Sequence, residues 1–209
     1  MLPEPLTKIS LAAAAQHLAK RDKDLAAIFE ACGPPPLWSR KPGFSTLIRI
    51  ILEQQVSLAS AASMYQRLCE NIQPFGPDRF IELGEPHLKS LGLTRQKTAY
   101  CLHLAETINS NSLKLSGLSK LNDEDAKAEL MQVKGIGSWS ADIYLLMVLR
   151  RPDVWPASDL ALATVVTKVK NLKQRPTVDQ LVEVAERWRP FRSVAARMLW
   201  QYYLAQRKT

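Results

Sequence analysis

With 209 residues, 46% of them hydrophobic and 23% charged, the chain is long and apolar enough to bury a core in one large domain or two small lobes. Its 28 Lys and Arg against 20 acidic residues leave a net charge of +8, which favours an anionic partner, nucleic acid first. No apolar run is long enough to span a membrane, and "MLPEPLTKIS" has neither a basic nor an apolar signal region, so a cytoplasmic protein is expected.

Helical periodicity dominates and strand signals are scarce, so the expected fold is all-α. "ISLAAAAQHLAK" begins behind a Ser10 cap, and "KDLAAIFEACG" stops at Gly33. "GPPPLWSRKPG", Gly33 to Gly43, reads as a connector, because so many prolines and glycines cannot continue a helix. "FSTLIRIILEQQVSLASAASMYQRLCENI" then gives two helices, separated where polar residues interrupt the periodicity near Gln54 to Ser57. Short helical pieces around "PDRFIEL" and "EPHLKSL" lead to "LGLTRQKTAYCLHLAETI", in which Gly92 stops one helix and Thr94 caps the next. "NDEDAKAELMQV" has Asn122 as its cap and acids in its first turn, as the helix dipole prefers. A helix from about Ser138 to Leu149, the turn "RRPDVWPASD", and the helices "TVDQLVEVAERW" and "RSVAARMLWQYYLAQRK" complete the chain.

Cys32, Cys69 and Cys101 are too far apart for a zinc site or an iron–sulfur cluster, and they supply no disulfide framework. Each sits among apolar neighbours and reads as a buried small hydrophobe in a reducing compartment. His17, His87 and His103 are equally scattered and read as packed or solvated helix residues.

The segment "LMQVKGIGSWSADIYLL" is a helix, the turn "KGIG" and a second helix. Gly135 and Gly137 can take backbone angles closed to other residues, so the chain reverses tightly. A bare turn also lets backbone N–H groups at the next helix approach an anion. Lys134 adds a positive charge, and Ser138 and Ser140 add hydroxyl donors. Such a turn holds a DNA phosphate without reading sequence. Glycine used only to pack an αα-corner gives the same GxG. Val133, Ile136 and Ala141 around it, in a basic chain, tighten the pattern to a helix-hairpin-helix that favours DNA.

Past the hairpin, Pro156 restricts Trp155 to extended geometry, and Asp159 stands just beyond this rigid turn. Ser158 or Asp159 can cap the helix "LALATVVTKV", and taken locally Asp159 is an ordinary helix cap.

Taken together, "ILEQQVS", "LGLTRQKTAYCLHLA", "VKGIGSWSADIYLL", the turn ending in Asp159, and "ERWRPFRSVAARMLW" resemble the helix-hairpin-helix DNA glycosylases. These carry an aspartate after the hairpin, and the similarity runs from about Gly43 to Leu204. The most similar branch is DNA-3-methyladenine glycosylase II, whose hairpin is followed by tryptophan. Bifunctional members carry a lysine two residues beyond the second hairpin glycine to form a Schiff base; here that position is Trp139. No cysteine follows Cys101, so the four-cysteine iron–sulfur cluster of other members is not expected.

The resemblance implies two helical lobes with a DNA cleft between them and the hairpin at that cleft. One lobe would span 43–151, ending in the hairpin, and 1–42 with 152–209 would form the second, carrying Asp159. It implies a monofunctional hydrolase that flips 3-methyladenine or 7-methylguanine from duplex DNA, with Asp159 catalytic. Trp139 and Trp200 would line the base pocket, although Trp200 in "RMLWQYY" also reads as a core residue. Ile143 stands where the resembled branch implies an aromatic, and the neighbouring Tyr144 points about 100° away around the helix. Gln55 matches the intercalating wedge, and Lys134, Gly135, Gly137, Ser138 and Ser140 the phosphate grip. A structural Na+ or K+ would sit on the carbonyls of Met131, Val133 and Gly135, with no cofactor for catalysis. The expected partner is double-stranded DNA with damaged bases, bound by a monomer that works at the nucleoid of a bacterial cytoplasm. Two other readings stay open: a related glycosylase for deaminated or etheno bases, and a hairpin module that binds DNA without cutting it.

Overall fold

The computed structural model describes residues 3–207; Met1, Leu2, Lys208 and Thr209, the outer ends of the expected second lobe, lie outside the described residues. Among the described residues all regular structure is helical, as expected: eleven α-helices, one 3-10 turn at Leu118–Lys120, and no strand. No helix among them is long and apolar enough to cross a membrane. The chain divides into two units, Arg40–Tyr144 and the combination of Met1–Ser39 with Leu145–Thr209.

The Arg40–Tyr144 lobe is organised by α3 (Phe44–Glu53), whose Leu47, Ile48, Ile50, Ile51 and Leu52 are all buried. It packs against α4 (Leu58–Asn71) and α6 (Arg95–Asn109), and α6 also packs against α5 (Pro77–Ser90). Gly84, with φ 66° and ψ −177°, is non-helical and breaks α5 into the two short helical pieces expected around "PDRFIEL" and "EPHLKSL". Lys97 Nζ donates to the carbonyl of Leu52 at 2.6 Å, satisfying an end group of α3 where a cation is favourable. α7 (Asp123–Met131) and α8 (Ser138–Met147) form the hairpin, and the division at Tyr144 falls within α8.

The hairpin reverses on one strained residue. Gly135 has φ +93°, and a Cβ there would lie 2.2 Å from Cγ of Tyr100 on α6. Glycine is therefore demanded twice, by the backbone angle and by the ring pressed against it. Lys127 Nζ on α7 donates to Asp142 on α8 at 2.7 Å, tying the two legs together.

In the other lobe α1 (Lys8–Arg21) begins one turn earlier than the sequence indicated. Thr7 is the cap, and Ser10 is the third helical residue of a capping box, each hydroxyl accepting the other residue's backbone N–H. α1 is followed by α2 (Lys23–Cys32), and later by α9 (Leu160–Val169), α10 (Val178–Glu186) and α11 (Arg192–Gln206). α11 is the central helix: every residue from Ser193 to Trp200 is buried, and α1, α2 and α9 pack around it. Arg197 within that run has its guanidinium on three carbonyls, those of Leu37, Ser193 and Leu146, at 3.0, 3.1 and 2.6 Å. Burial pushes it down to about 9, so it stays charged at neutral pH, and its bond to Leu37 fastens the proline-rich connector to the core. Of the cysteines Cys101 alone is buried, and burial pushes its thiol up to about 12; Cys32 and Cys69 are only half-buried, Cys32 as the last residue of α2 and Cys69 beside the line of Ala61 and Leu68 along α4.

Asp22 joins the peripheral helices. It caps α2 through Asp24 N–H and Leu25 N–H, accepts the Trp188 indole N–H at 3.0 Å, and pairs with Lys170. Burial opposes its ionisation, but the Trp188 and Leu25 hydrogen bonds and Lys170 together hold its carboxyl below the ordinary 3.8.

Asp22→Ala should lower the unfolding free energy by about 2–4 kcal/mol in urea melts, from a lost cap and an unpaired buried indole. Because the folded pKa is depressed, this stabilisation is present above the unfolded value near 3.8 and fades as pH falls through the lower folded one. Wild type should accordingly lose more stability than Asp22→Asn between pH 5 and pH 2.5. Gly135→Ala should cost about 2 kcal/mol or more from left-handed strain and the ring clash. Adding Tyr100→Ala should recover part of that loss, whereas independent effects would simply sum.

Candidate functional site

α9 begins at Asp159, which is 9% exposed and caps the helix by accepting Leu162 N–H at 2.9 Å on Oδ1. The same oxygen accepts the indole N–H of Trp200 from α11 at 3.1 Å. A carboxylate with so little contact with water needs hydrogen bonds to remain charged, and the positive end of a helix adds to them. Two N–H donors on one oxygen also fix the carboxylate plane. Asp159 is thus both the helix cap that its local context indicates and a buried, oriented acid.

The loop before it is clamped from the start of α11. Arg192 Nε and Nη2 grip the Asp153 carboxylate, each at 3.0 Å, and the Arg192 backbone N–H donates to it at 3.1 Å. Ser193 Oγ accepts Val154 N–H at 2.9 Å and donates to the Val154 carbonyl at 3.0 Å. Trp155 packs edge-to-face on Trp188, ring centroids 5.3 Å apart. The "RPFRS" segment therefore acts on the loop preceding the acid, a role that its residue types did not disclose.

In the hairpin the residues expected to grip phosphate separate into two groups. Lys134, Gly137 and Ser138 are exposed, and a Cβ on Gly137 would meet nothing within 4 Å. Packing therefore does not require glycine at 137. Gly135 is half-buried and serves the turn itself. Ser140 departs from the expectation: it is 2% exposed and its Oγ accepts Nε2 of Gln54 at 2.8 Å, so it faces the protein rather than an external phosphate. Lys134 N–H donates to Nδ1 of His103 at 3.3 Å, which assigns the ring proton to Nε2. His103 therefore supports the hairpin, although nothing in its sequence context marked it.

Gln55 lies exposed between α3 and α4 with a left-handed φ of 57°, uncommon outside glycine. Val56 and Leu58 beside it are 44% and 62% exposed, giving this projecting loop apolar flanks. Trp139, the second residue of α8, is half-buried. Ile143 and Tyr144 are both buried; the Tyr144 hydroxyl has no hydrogen-bond partner among the described residues, and burial pushes it up to about 12. The Val133 carbonyl accepts Ile136 N–H at 2.9 Å, and that of Gly135 accepts Gln54 Nε2 at 2.7 Å. Each keeps a second lone pair, so both fit a cation's coordination shell beside Met131. No group of three or more His, Cys, Asp or Glu side chains able to hold a metal occurs among the described residues.

A family model described as "HhH-GPD superfamily base excision DNA repair protein" matches residues 48–190, from α3 to the start of the clamp on the Asp159 loop. The chain is similar to DNA-3-methyladenine glycosylase 1 of Schizosaccharomyces pombe, 27% identical over 199 residues, 92% of this chain and 87% of that protein. It is also similar to the DNA-3-methyladenine glycosylase of Bacillus subtilis, 29% identical over 170 residues and 76% of this chain. It spans 56% of the length of that relative, and 67% of a second one from Bacillus subtilis. Among solved structures, the Schizosaccharomyces pombe 3-methyladenine DNA glycosylase (Mag1) in complex with abasic DNA superposes with a TM-score of 0.81 at 25% identity. That match covers 90% of this chain and 95% of that one. With the hairpin, the capped acid and these relatives in agreement, the chain belongs to the HhH-GPD superfamily of base excision DNA repair proteins, in its DNA-3-methyladenine glycosylase branch.

Proposed function

We propose that this chain flips alkylated purines, 3-methyladenine and 7-methylguanine, out of duplex DNA and releases them by hydrolysis, as a monomer acting on chromosomal DNA in a bacterial cytoplasm. The observation that carries the reading is Asp159, an oriented and nearly dry carboxylate following a phosphate-type hairpin. Breaking the N-glycosidic bond builds positive charge on the deoxyribose, and a fixed carboxylate stabilises that charge without reorganising. Water adds to C1′, the base departs with the bonding electron pair, and the water's proton passes to Asp159 or solvent. A methylated purine is already cationic, so its departure needs no strong general acid.

Trp139 and Trp200 would wall the base pocket, where a cation–π contact contributes about 0.5–2 kcal/mol. Trp200 would do so by its ring face, since its N–H is engaged by Asp159. Lys134, Gly137 and Ser138 would hold a backbone phosphate at the hairpin, while Gln55 would fill the gap left by the flipped nucleotide. A Na+ or K+ on the remaining lone pairs of the Met131, Val133 and Gly135 carbonyls would add positive charge near that phosphate. Trp139 stands where a Schiff-base lysine would be needed, which supports hydrolysis without lyase chemistry. Ile143 in place of an aromatic favours one neighbouring specificity, for etheno or deaminated bases, as the second reading.

Asp159→Asn keeps a good helix cap, so folding should persist while release of methylpurines from methylated duplex DNA falls by about 10² to 10³. Neither protein should form a borohydride-trapped adduct; a trapped adduct would sink the hydrolytic mechanism, and equal release by both would sink the role of Asp159. Gly137→Ala should leave the melting temperature unchanged, because its Cβ meets no atom, yet weaken duplex binding about tenfold in a fluorescence-anisotropy titration. Unchanged affinity would remove the hairpin from the DNA interface.

A further inference from the structure

In the Arg40–Tyr144 lobe a single side chain links the hairpin to the loop that carries Gln55. Gln54 Nε2 donates to the Gly135 carbonyl at 2.7 Å and to Ser140 Oγ at 2.8 Å, across 81 and 86 residues of sequence. Gln54 is the residue on which α3 ends, and the left-handed Gln55 follows at once. The path of the projecting loop is therefore set by a residue anchored on the hairpin. Both amide hydrogens are used, and the Gly135 carbonyl can only accept, so no carboxylate or apolar side chain reproduces the pair. A glutamate would lose the Gly135 bond and bring negative charge to a turn read as holding phosphate.

From this geometry we infer that Gln54 is a positioning residue: it locks the wedge loop to the hairpin, so that gripping phosphate and inserting Gln55 occur in one register. The inference rests on the glycosylase reading above, with Gln55 as the wedge. Gln54 touches neither base nor sugar in this scheme. It acts through Gln55, and its effect belongs to the flipping step rather than to duplex affinity.

The test is a double-mutant cycle on a duplex with 2-aminopurine beside a 7-methylguanine, following flipping by stopped-flow fluorescence, base release by chromatography, and affinity for undamaged duplex. Gln54→Met keeps the side-chain length without the donors and should slow flipping and kcat about tenfold, in line with the cost of small misplacements. Its affinity for undamaged duplex should change by less than about threefold, since the hairpin backbone stays in place. In a Gln55→Ala background, Gln54→Met should slow flipping by less than about twofold, because the group it positions is gone. Gln54→Glu should be worse than Gln54→Met in affinity as well as rate. Ser140→Ala removes one of the two acceptors and should give a smaller defect of the same kind, which serves if Gln54→Met folds poorly. Additive effects of Gln54→Met and Gln55→Ala, or activity falling only with the folded fraction, would overturn the inference. Wild type that releases no base would instead overturn the glycosylase reading, and the inference with it.

Discussion

The lobe built around α11 depends on orienting a carboxylate where water barely reaches it. Asp159 meets that demand with a helix N-terminus and the Trp200 indole, both directed at one oxygen. Those donors are placed by other parts of the same lobe. Trp200 sits on α11, buried from Ser193 onward, and the start of that helix clamps the loop preceding Asp159 through Arg192 and Ser193. Below it the buried Arg197 guanidinium holds three backbone carbonyls, those of Leu37, Ser193 and Leu146. One helix therefore supplies the core of the lobe, the donor to the acid and the clamp on the acid's loop.

The Arg40–Tyr144 lobe solves a different problem, presenting bare backbone outward without letting the turn lose its shape. Tyr100 presses on Gly135, His103 accepts Lys134 N–H, and Lys127 bridges to Asp142. Each contact comes from behind the turn. Gly137 lacks any such contact, so of the two hairpin glycines only Gly135 is required by packing. The net charge of +8 adds a long-range attraction that such a turn, blind to sequence, can use.

The relation between the two tryptophans illustrates how one residue type serves two ends. An indole has a polar edge and a π face, and a buried N–H must find an acceptor. In Trp200 the edge is engaged by the acid at the start of α9, which fixes the carboxylate and the ring together. In Trp188 the edge is engaged by Asp22, and the ring packs edge-to-face with Trp155, a purely structural use.

The amino-acid sequence by itself determined what depends on neighbours along the chain. The helices, the stops at Gly33 and Gly92, the caps at Thr94 and Asn122, the hairpin and the acid after it follow from local backbone preferences within a few residues. Its one capping error, Ser10 for Thr7, arose within such a window, because a capping box presents two hydroxyl residues three apart and either can cap. Tertiary structure alone decided which side chains meet: Trp200 with Asp159 across 41 residues, Arg192 with Asp153 across 39, Gln54 with Gly135 across 81. It also turned Ser140 inward, and it separated the buried Cys101 from the half-buried Cys32 and Cys69. A helical pattern fixes which face is apolar, but it leaves open which polar group ends beside another. That choice is made only when helices far apart in sequence pack, and a buried donor must then take whichever acceptor lies within about 3 Å.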